Sequence, residues 1–353
     1  MRPSMKDSLH LSSHALTVVS GAQIANLMPS LREDILRLVE ETYLQHDAGL
    51  TNNPDSYFLR FEERQSDRII ALPAAIANDT PISGIKWIAS YPKNIEQNLQ
   101  RASAVLLLND YETGYPVACL EASQISAART AASAVLAARA LVADPKKAVK
   151  ITFVGAGVIS RAIFDFFMAD GWRFGQVNVC DLDAGAAAEL RHHIEAGTGQ
   201  EARFVENWKS AINAADIVVF ATNAGTPYVS GDDVFAPGQI ILNVSLRDIS
   251  PDIIWHAFNL FDDVEHCMKA NTSPHLAEQK YGDRSFVHGT LAQVLKNPRL
   301  INRSRPLIFS PFGLGVLDLV VGQLFVDKCM EAGAYTNIAD FIPDTRRWAT
   351  SHG

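Results

Sequence analysis

The chain has 353 residues, a formal net charge of -8 and 48% hydrophobic residues, enough apolar content for the cores of two domains. The negative balance argues against nucleic acid or an anionic membrane as partner, and apolar runs no longer than a strand, such as Ile217 to Ala221, leave no membrane span. Four cysteines at 119, 180, 267 and 329 are too scattered for a zinc site or a disulfide framework, and ten histidines show no ligand spacing, so no metal and a reducing cytoplasm are expected.

In chain order, Met1 to Ser13 carries Arg2 and Lys6 but no apolar segment, and reads as a short disordered leader without a secretory signal. A helix over about Ser30 to Asp47 follows from Leu31, Ile35, Leu38, Val39 and Thr42 at helical spacing. Strand-like runs come next, at 57–61, 68–75, 82–89, 104–109 and 116–121. The turn residues of Asn109-Asp-Tyr-Glu-Thr-Gly114 join the last two as a hairpin, so this half reads as a largely antiparallel α+β domain. An Ala-rich helix, Ile125 to Ala143, ends at Pro145. Strands at 151–154, 177–181, 216–221, 239–244 and 258–262 then alternate with helical or turn segments, the rhythm of a parallel sheet. A final apolar helix, Gly313 to Ala332, returns to the first domain. The expected fold class is α/β, a Rossmann-type parallel-sheet domain (129–310) inserted in an α+β substrate and dimerisation domain (1–128 and 311–353).

Within the parallel sheet, the strand Ile151 to Val154 runs into Gly155-Ala-Gly157, then a helix with Phe164, Phe167 and Met168 on one face, then a strand closing on Asp181. That order is a dinucleotide fingerprint: glycines admit the pyrophosphate, the helix N-terminus stabilises its charge, and the acid accepts from ribose hydroxyls. Ser160 stands where a third glycine is usual. Asp181 with Leu182 and Asp183 after it, and no arginine beside it for a 2′-phosphate, favours NAD over NADP. Because ligands lie outside the carboxyl ends of such strands, Thr222, Asn223 and Ser245 are candidates to line the ribose and nicotinamide, against the alternative of ordinary strand-to-loop turns.

Two cations stand among apolar neighbours, Lys86 in Ser83-Gly-Ile-Lys-Trp-Ile88 and Arg129 in Ile125-Ser-Ala-Ala-Arg-Thr-Ala131. Burial of an isolated charge is costly, so each either snorkels, pairs or holds an anion. Asp248, just past a sheet strand, is either a base near the nicotinamide or a helix-capping or loop acid.

Two stretches carry a family resemblance. One is Asp110-Tyr-Glu-Thr-Gly-Tyr-Pro116 with Glu121-Ala-Ser-Gln-Ile-Ser-Ala-Ala-Arg-Thr-Ala-Ala132; the other is Gly155-Ala-Gly157 with Pro311-Phe-Gly-Leu-Gly-Val-Leu-Asp318. Over nearly its full length the chain resembles the ornithine cyclodeaminase/μ-crystallin family. Asp67 to Pro73, Ile82 to Ile88, Gln97 to Ser103 and Leu107 to Asp110 look most like the branch that releases 2,3-diaminopropionate for siderophores and peptide antibiotics from a glutamate-derived secondary amine. That match is strong from Asp67 to Asp181 and looser from Glu265 to Ile308.

The resemblance implies a homodimer, with NAD as cofactor and an amino-acid substrate. It implies that Arg60, Lys86 and Arg129 grip the substrate carboxylate, with Lys86 and Asp248 catalytic and Asp248 the acid/base. Arg101 is the candidate for a further carboxylate. Arg129, Thr130, Gly155, Gly157, Val158, Ile159, Asp181, Thr222, Asn223, Ser245 and Gly313 form the implied cofactor set. A departure bears on substrate: the lysine four residues after the catalytic acid in bacterial cyclodeaminases is Asp252 here, which weakens ornithine. Other readings are an imino-acid reductase or cyclodeaminase, and a μ-crystallin-like binding protein without catalysis.

Overall fold

The computed structural model describes residues 15–144, 149–213, 215–231 and 234–343, so the leader of Met1 to Ser13 and the Pro145 stop lie outside the described residues. The chain divides into two compact units, one of residues 15–31, 48–126 and 314–343, the other of 32–47 and 127–313 among those described.

The first unit is built on an eight-stranded sheet. Its strands are β1 (Leu16–Val19), β2 (Thr51–Asn52), β3 (Tyr57–Phe61), β4 (Arg64–Ile76), β5 (Ile82–Ser90), β6 (Ala102–Asp110), β7 (Pro116–Glu121) and β16 (Thr336–Ile338). The order is β16-β1-β7-β6-β5-β4-β2, with β3 also beside β4, and every pair is antiparallel except β1 with β7. The expected hairpin joins β6 to β7, its turn held by Thr113 N–H donating to Asp110 Oδ1 at 2.8 Å. Period-two alternation sends Leu72, Ala74, Leu106, Leu108 and Leu120 to one face, all buried. The apolar helix Gly315–Glu331 covers that face, with Val316, Leu317, Leu319, Val321, Phe325 and Val326 buried.

The helix expected from Ser30 begins at Gly21 and runs to Asp47, carrying Pro29 inside it. Ser20 and Gln23 explain the earlier start. Gln23 N–H donates to Ser20 Oγ at 3.4 Å while Ser20 N–H donates to Gln23 Oε1 at 2.7 Å, a reciprocal cap that outweighs one missing proline donor.

The second unit holds an all-parallel eight-stranded sheet. Its members are β8 (Val149–Val154), β9 (Phe174–Cys180), β10 (Ala202–Phe204), β11 (Ile217–Phe220), β12 (Ile240–Asn243), β13 (Phe258–Phe261), β14 (Val287–Thr290) and β15 (Leu307–Ser310). They are ordered β10-β9-β8-β11-β12-β15-β13-β14. Strands β11, β12, β13 and β15 are buried at every position, as a sheet covered on both faces requires. From β8 the chain first builds outward through β9 to β10, then restarts on the other side with β11, which puts the topological switch point between β8 and β11. Among the described residues no helix is long and apolar enough to cross a membrane.

Candidate functional site

At the switch point β8 ends in Val154, and Gly155 takes φ +96°, where an added Cβ would lie 2.4 Å from the Ala221 carbonyl oxygen. Only glycine fits. Gly157 is the N-cap of the helix Val158–Ala169 and offers no side-chain cap, so the first amides of that helix keep their donors for a ligand. The space over Gly157 is open, since a Cβ placed there would meet no atom within 4 Å, and Val158 is exposed beside it. Ser160 is buried, and its hydroxyl donates to the Gly155 carbonyl at 2.5 Å, so it anchors the turn in the place of the third glycine. Asp181 closes β9; Oδ2 accepts from Ala156 N–H at 2.6 Å and Oδ1 from Asp183 N–H at 2.8 Å, with the fully exposed Leu182 between them. The loop, its open helix end and this acid fit the pyrophosphate and ribose of a dinucleotide.

A carboxylate sits past the neighbouring strand ends. Beyond β12 the backbone reverses at Leu246, a non-glycine residue at φ +68°, and delivers Asp248 with no accessible surface. Thr222 Oγ1 donates to its Oδ1 and Ser245 Oγ to its Oδ2. Thr222 and Ser245, expected to line the cofactor, thus hold the acid. The Asp248 carbonyl accepts from Tyr228 N–H at 3.0 Å and Val229 N–H at 2.8 Å. Burial, then the Asp248 charge, raises the nearby Tyr228 phenol above the ordinary tyrosine range. Asn223 is exposed in the same loop.

Arg129 projects from the helix Ser123–Leu141, where Thr130 is half-buried next to it. Gly313 makes room for Arg129: it has φ +100°, and a Cβ there would lie 2.5 Å from the guanidinium Nη1. The same turn is fastened by Asp262, which accepts from Phe312 N–H at 2.9 Å and Gly313 N–H at 2.6 Å. Asp252, the departure from the cyclodeaminase pattern, is on the surface and pairs with Lys280 at 2.5 Å and with Tyr281.

In the first unit Lys86 is 1% exposed, and its Nζ donates to Asp318 Oδ2 at 2.7 Å and Ser126 Oγ at 3.0 Å. Arg60, also expected in the clamp, lies apart from it within that sheet. Lys86 pairs in register with Leu72 and Arg60 with Arg68, four positions further along β4, a spacing of about 13 Å at strand rise. Arg60 is exposed over the Phe58 ring at 5.1 Å; burial, then the Arg60 charge, lowers Arg68 from its ordinary value. Arg101 is half-buried at the approach to β6, its carbonyl accepting from Tyr91 N–H at 2.9 Å.

Sequence reading passed over Tyr228, Ser126, Asp262 and the role of Asp318. Asp318 carried a usable signal: one acid in the apolar run Gly315–Phe325 faces the same burial cost as Lys86, and two such charges satisfy each other.

Comparison with known proteins agrees with this architecture. The model of the ornithine cyclodeaminase/mu-crystallin family matches residues 18–331. The N-((2S)-2-amino-2-carboxyethyl)-L-glutamate dehydrogenase of Staphylococcus aureus is 32% identical over 282 residues, 77% of this chain and 82% of that one. The Thermococcus litoralis Δ1-pyrroline-2-carboxylate reductase, solved with NADH and L-proline, superposes with a TM-score of 0.83 at 22% identity, covering 91% of this chain and 100% of the other. An archaeal alanine dehydrogenase dimer with bound NAD gives a TM-score of 0.79 at 21% identity, covering 92% and 99%. These two solved structures share the fold. With the family model spanning most of its length, the chain belongs to the ornithine cyclodeaminase/mu-crystallin family.

Proposed function

We propose that this protein is a NAD-dependent oxidoreductase that cleaves N-(2-amino-2-carboxyethyl)-L-glutamate into L-2,3-diaminopropionate and 2-oxoglutarate. The observation that carries the reaction class is the conjunction, on one sheet, of an open Gly155–Gly157 helix end at the switch point with a buried carboxylate, Asp248, at the adjacent strand ends. The substrate rests on the likeness to the Staphylococcus aureus dehydrogenase and on the loss of the cyclodeaminase lysine at Asp252.

When bound, NAD supplies the acceptor for the hydride leaving the glutamate Cα. The Gly157 and Val158 turn and the Ile159 amide would hold its phosphates, Asp181 its ribose, and Asn223 and the Arg129–Gly313 turn, with Thr130, the far side of the site. The substrate has three carboxylates. Lys86, paired with Asp318, is the candidate for the one at the reacting carbon, and Arg60 and Arg101 for the outer ones. Asp248 takes up the nitrogen's proton, since an amine yields hydride only with its lone pair free. Water then adds to the imine carbon, and the carbon–nitrogen bond breaks to give the keto acid and the free diamino acid.

We also propose a homodimer. Opposite the helix-covered face of the first sheet, Tyr57, Trp87 and Val105 align in one row and are 81%, 41% and 42% exposed, an apolar strip suited to a second copy. Four free thiols suit the cytoplasm.

The test is incubation with NAD and the synthetic substrate, following NADH and 2-oxoglutarate together. Equal amounts of both are expected; a flat trace in both overturns the substrate, and ornithine consumed without net NADH makes the chain a cyclodeaminase. Sedimentation of the same preparation reads whether the chain is paired.

A further inference from the structure

We propose that Arg60 and Arg68, with the Ser90 hydroxyl, form a second carboxylate site, which takes the γ-carboxylate of the glutamyl group and selects a dicarboxylic substrate over a monocarboxylic one. The inference rests on the tricarboxylate reading above and adds the residue that reads its far end. Strand register brings the three together: Arg60 of β3 lies directly opposite Arg68 of β4, and Arg68 directly opposite Ser90 of β5. Residues so paired share one face of a sheet, with Cβ atoms about 5 Å apart.

The arginine pair is uncompensated. Like charges directly opposite each other are destabilising, and Arg68 is half-buried, so it also gives up hydration. Burial and the Arg60 charge accordingly lower Arg68 from its ordinary value. Among the described residues neither arginine has an ion pair or a side-chain hydrogen bond, and Arg60 has the Phe58 ring alone. The neighbouring acid, Asp67, is engaged elsewhere: its Oδ1 accepts from Ser66 Oγ at 3.2 Å, and its Oδ2 lies 3.9 Å from Arg64 Nε. Ser90 Oγ is buried, also without a hydrogen-bond partner among the described residues. An anion seated between the guanidinium groups would remove the repulsion and meet the hydroxyl.

The same face says which anion. Lys86 lies four residues before Ser90 on β5, hence on that face, about 13 Å away at strand rise. Between them the face is apolar, with Ile88 opposite Ile70, both half-buried. Long side chains that lean along the strands shorten the gap between the charges. A cation at each end of an apolar floor fits two carboxylates joined by methylene groups, as in a glutamyl group held by its α-carboxylate at Lys86. A monocarboxylic amino acid would fill one end and leave the arginine pair uncompensated.

The test compares the substrate with its γ-amide, N-(2-amino-2-carboxyethyl)-L-glutamine, which has the same shape and no charge at that end. The parent should prefer the acid by about 10- to 100-fold in kcat/KM, the range for hydrogen bonds to a charged group. Arg68→Leu should bring that ratio close to one, chiefly through KM, and Arg68→Lys should restore part of it. Because Arg68→Leu removes a repulsion, it should melt no lower than the parent when no ligand is added. A lower Tm would mean that Arg68 is compensated within the fold, which overturns the site. A parent without preference, or an unchanged preference in Arg68→Leu, overturns it with the function intact. Where neither compound turns over, titration with glutarate in the presence of NAD decides. Binding weakened by Arg68→Leu keeps the site and retires the substrate, whereas binding that is absent or indifferent to Arg68 overturns both.

Discussion

Two carboxylates in this chain are equally buried and differently satisfied. Asp318, between a sheet and the helix that covers it, faces the ammonium of Lys86; Asp248, at the ends of a parallel sheet, faces hydroxyls. Both arrangements offset the cost of burying a charge, but they leave different chemistry. A proton arriving at Asp318 would strand a buried cation, so that pair acts as a fixed electrostatic element. At Asp248 a proton breaks no ion pair, because its partners are neutral and can rotate. The first arrangement suits holding a substrate charge, the second suits moving a proton.

The widest separation between the two should come from deleting a partner. Lys86→Met leaves Asp318 buried without its cation and should cost about 3–5 kcal/mol of stability, measured by denaturant unfolding. Lys86→Met with Asp318→Leu should recover most of that loss while turnover stays absent. Asp248→Leu, which strands hydroxyls but no charge, should cost only about 1–3 kcal/mol. An Asp248→Leu protein less stable than Lys86→Met would erase the distinction.

A smaller effect separates support of the fold from support of the ligand in the glycine turn. Gly155→Ala forces a side chain to φ +96° against the Ala221 carbonyl and should cost about 1–3 kcal/mol. Gly157 has φ -78° and open space above it, so Gly157→Ala should unfold within about 0.5 kcal/mol of the parent yet bind NAD more weakly. Calorimetric melting and NAD titration on the two variants read the two losses separately. Equal NAD affinity for Gly157→Ala and the parent would move the pyrophosphate elsewhere.

These contrasts follow how far the sequence could be read. The Gly155 turn and Asp181 are close in the chain and obey a periodic pattern, so they were visible, as were β3 and β7 to the residue. What joins distant segments was not. Lys86 and Asp318 are 232 residues apart, and nothing local says that they meet. The Tyr228 backbone meets that of Asp248 beside a single bridge, Val229 to Ile249, between loops. Strand β15 has four residues and enters between β12 and β13 out of chain order, which hid it in a run read only for its weak family likeness. Arg60 entered the expected clamp through the family resemblance, and strand register, which no local pattern states, sets it four positions of β4 away from Lys86.

A third carboxylate lies between the two cases and gives the smallest expected effect. Asp263 caps the short helix Val264–Cys267, accepting from His266 N–H at 2.9 Å, and is paired with His266 Nδ1 at 3.0 Å and His46 Nε2 at 3.1 Å. Burial alone would raise its pKa, but the hydrogen bonds from His266 and His46 outweigh it and hold the carboxyl well below the usual carboxylate range. A group depressed in the folded state adds stability above its unfolded pKa, about 3.9, and loses it as pH falls from there toward the folded value. Its partners are histidines at a partly wet site, so the contribution should be nearer about 1 kcal/mol than the figure for Lys86. Asp263→Asn should therefore lower stability at pH 6 and flatten its decline between about pH 5 and 2, with the variant and parent converging in acid. Parallel stability curves over that range would mean that Asp263 acts as a helix cap alone, with no share in the acid sensitivity of the fold.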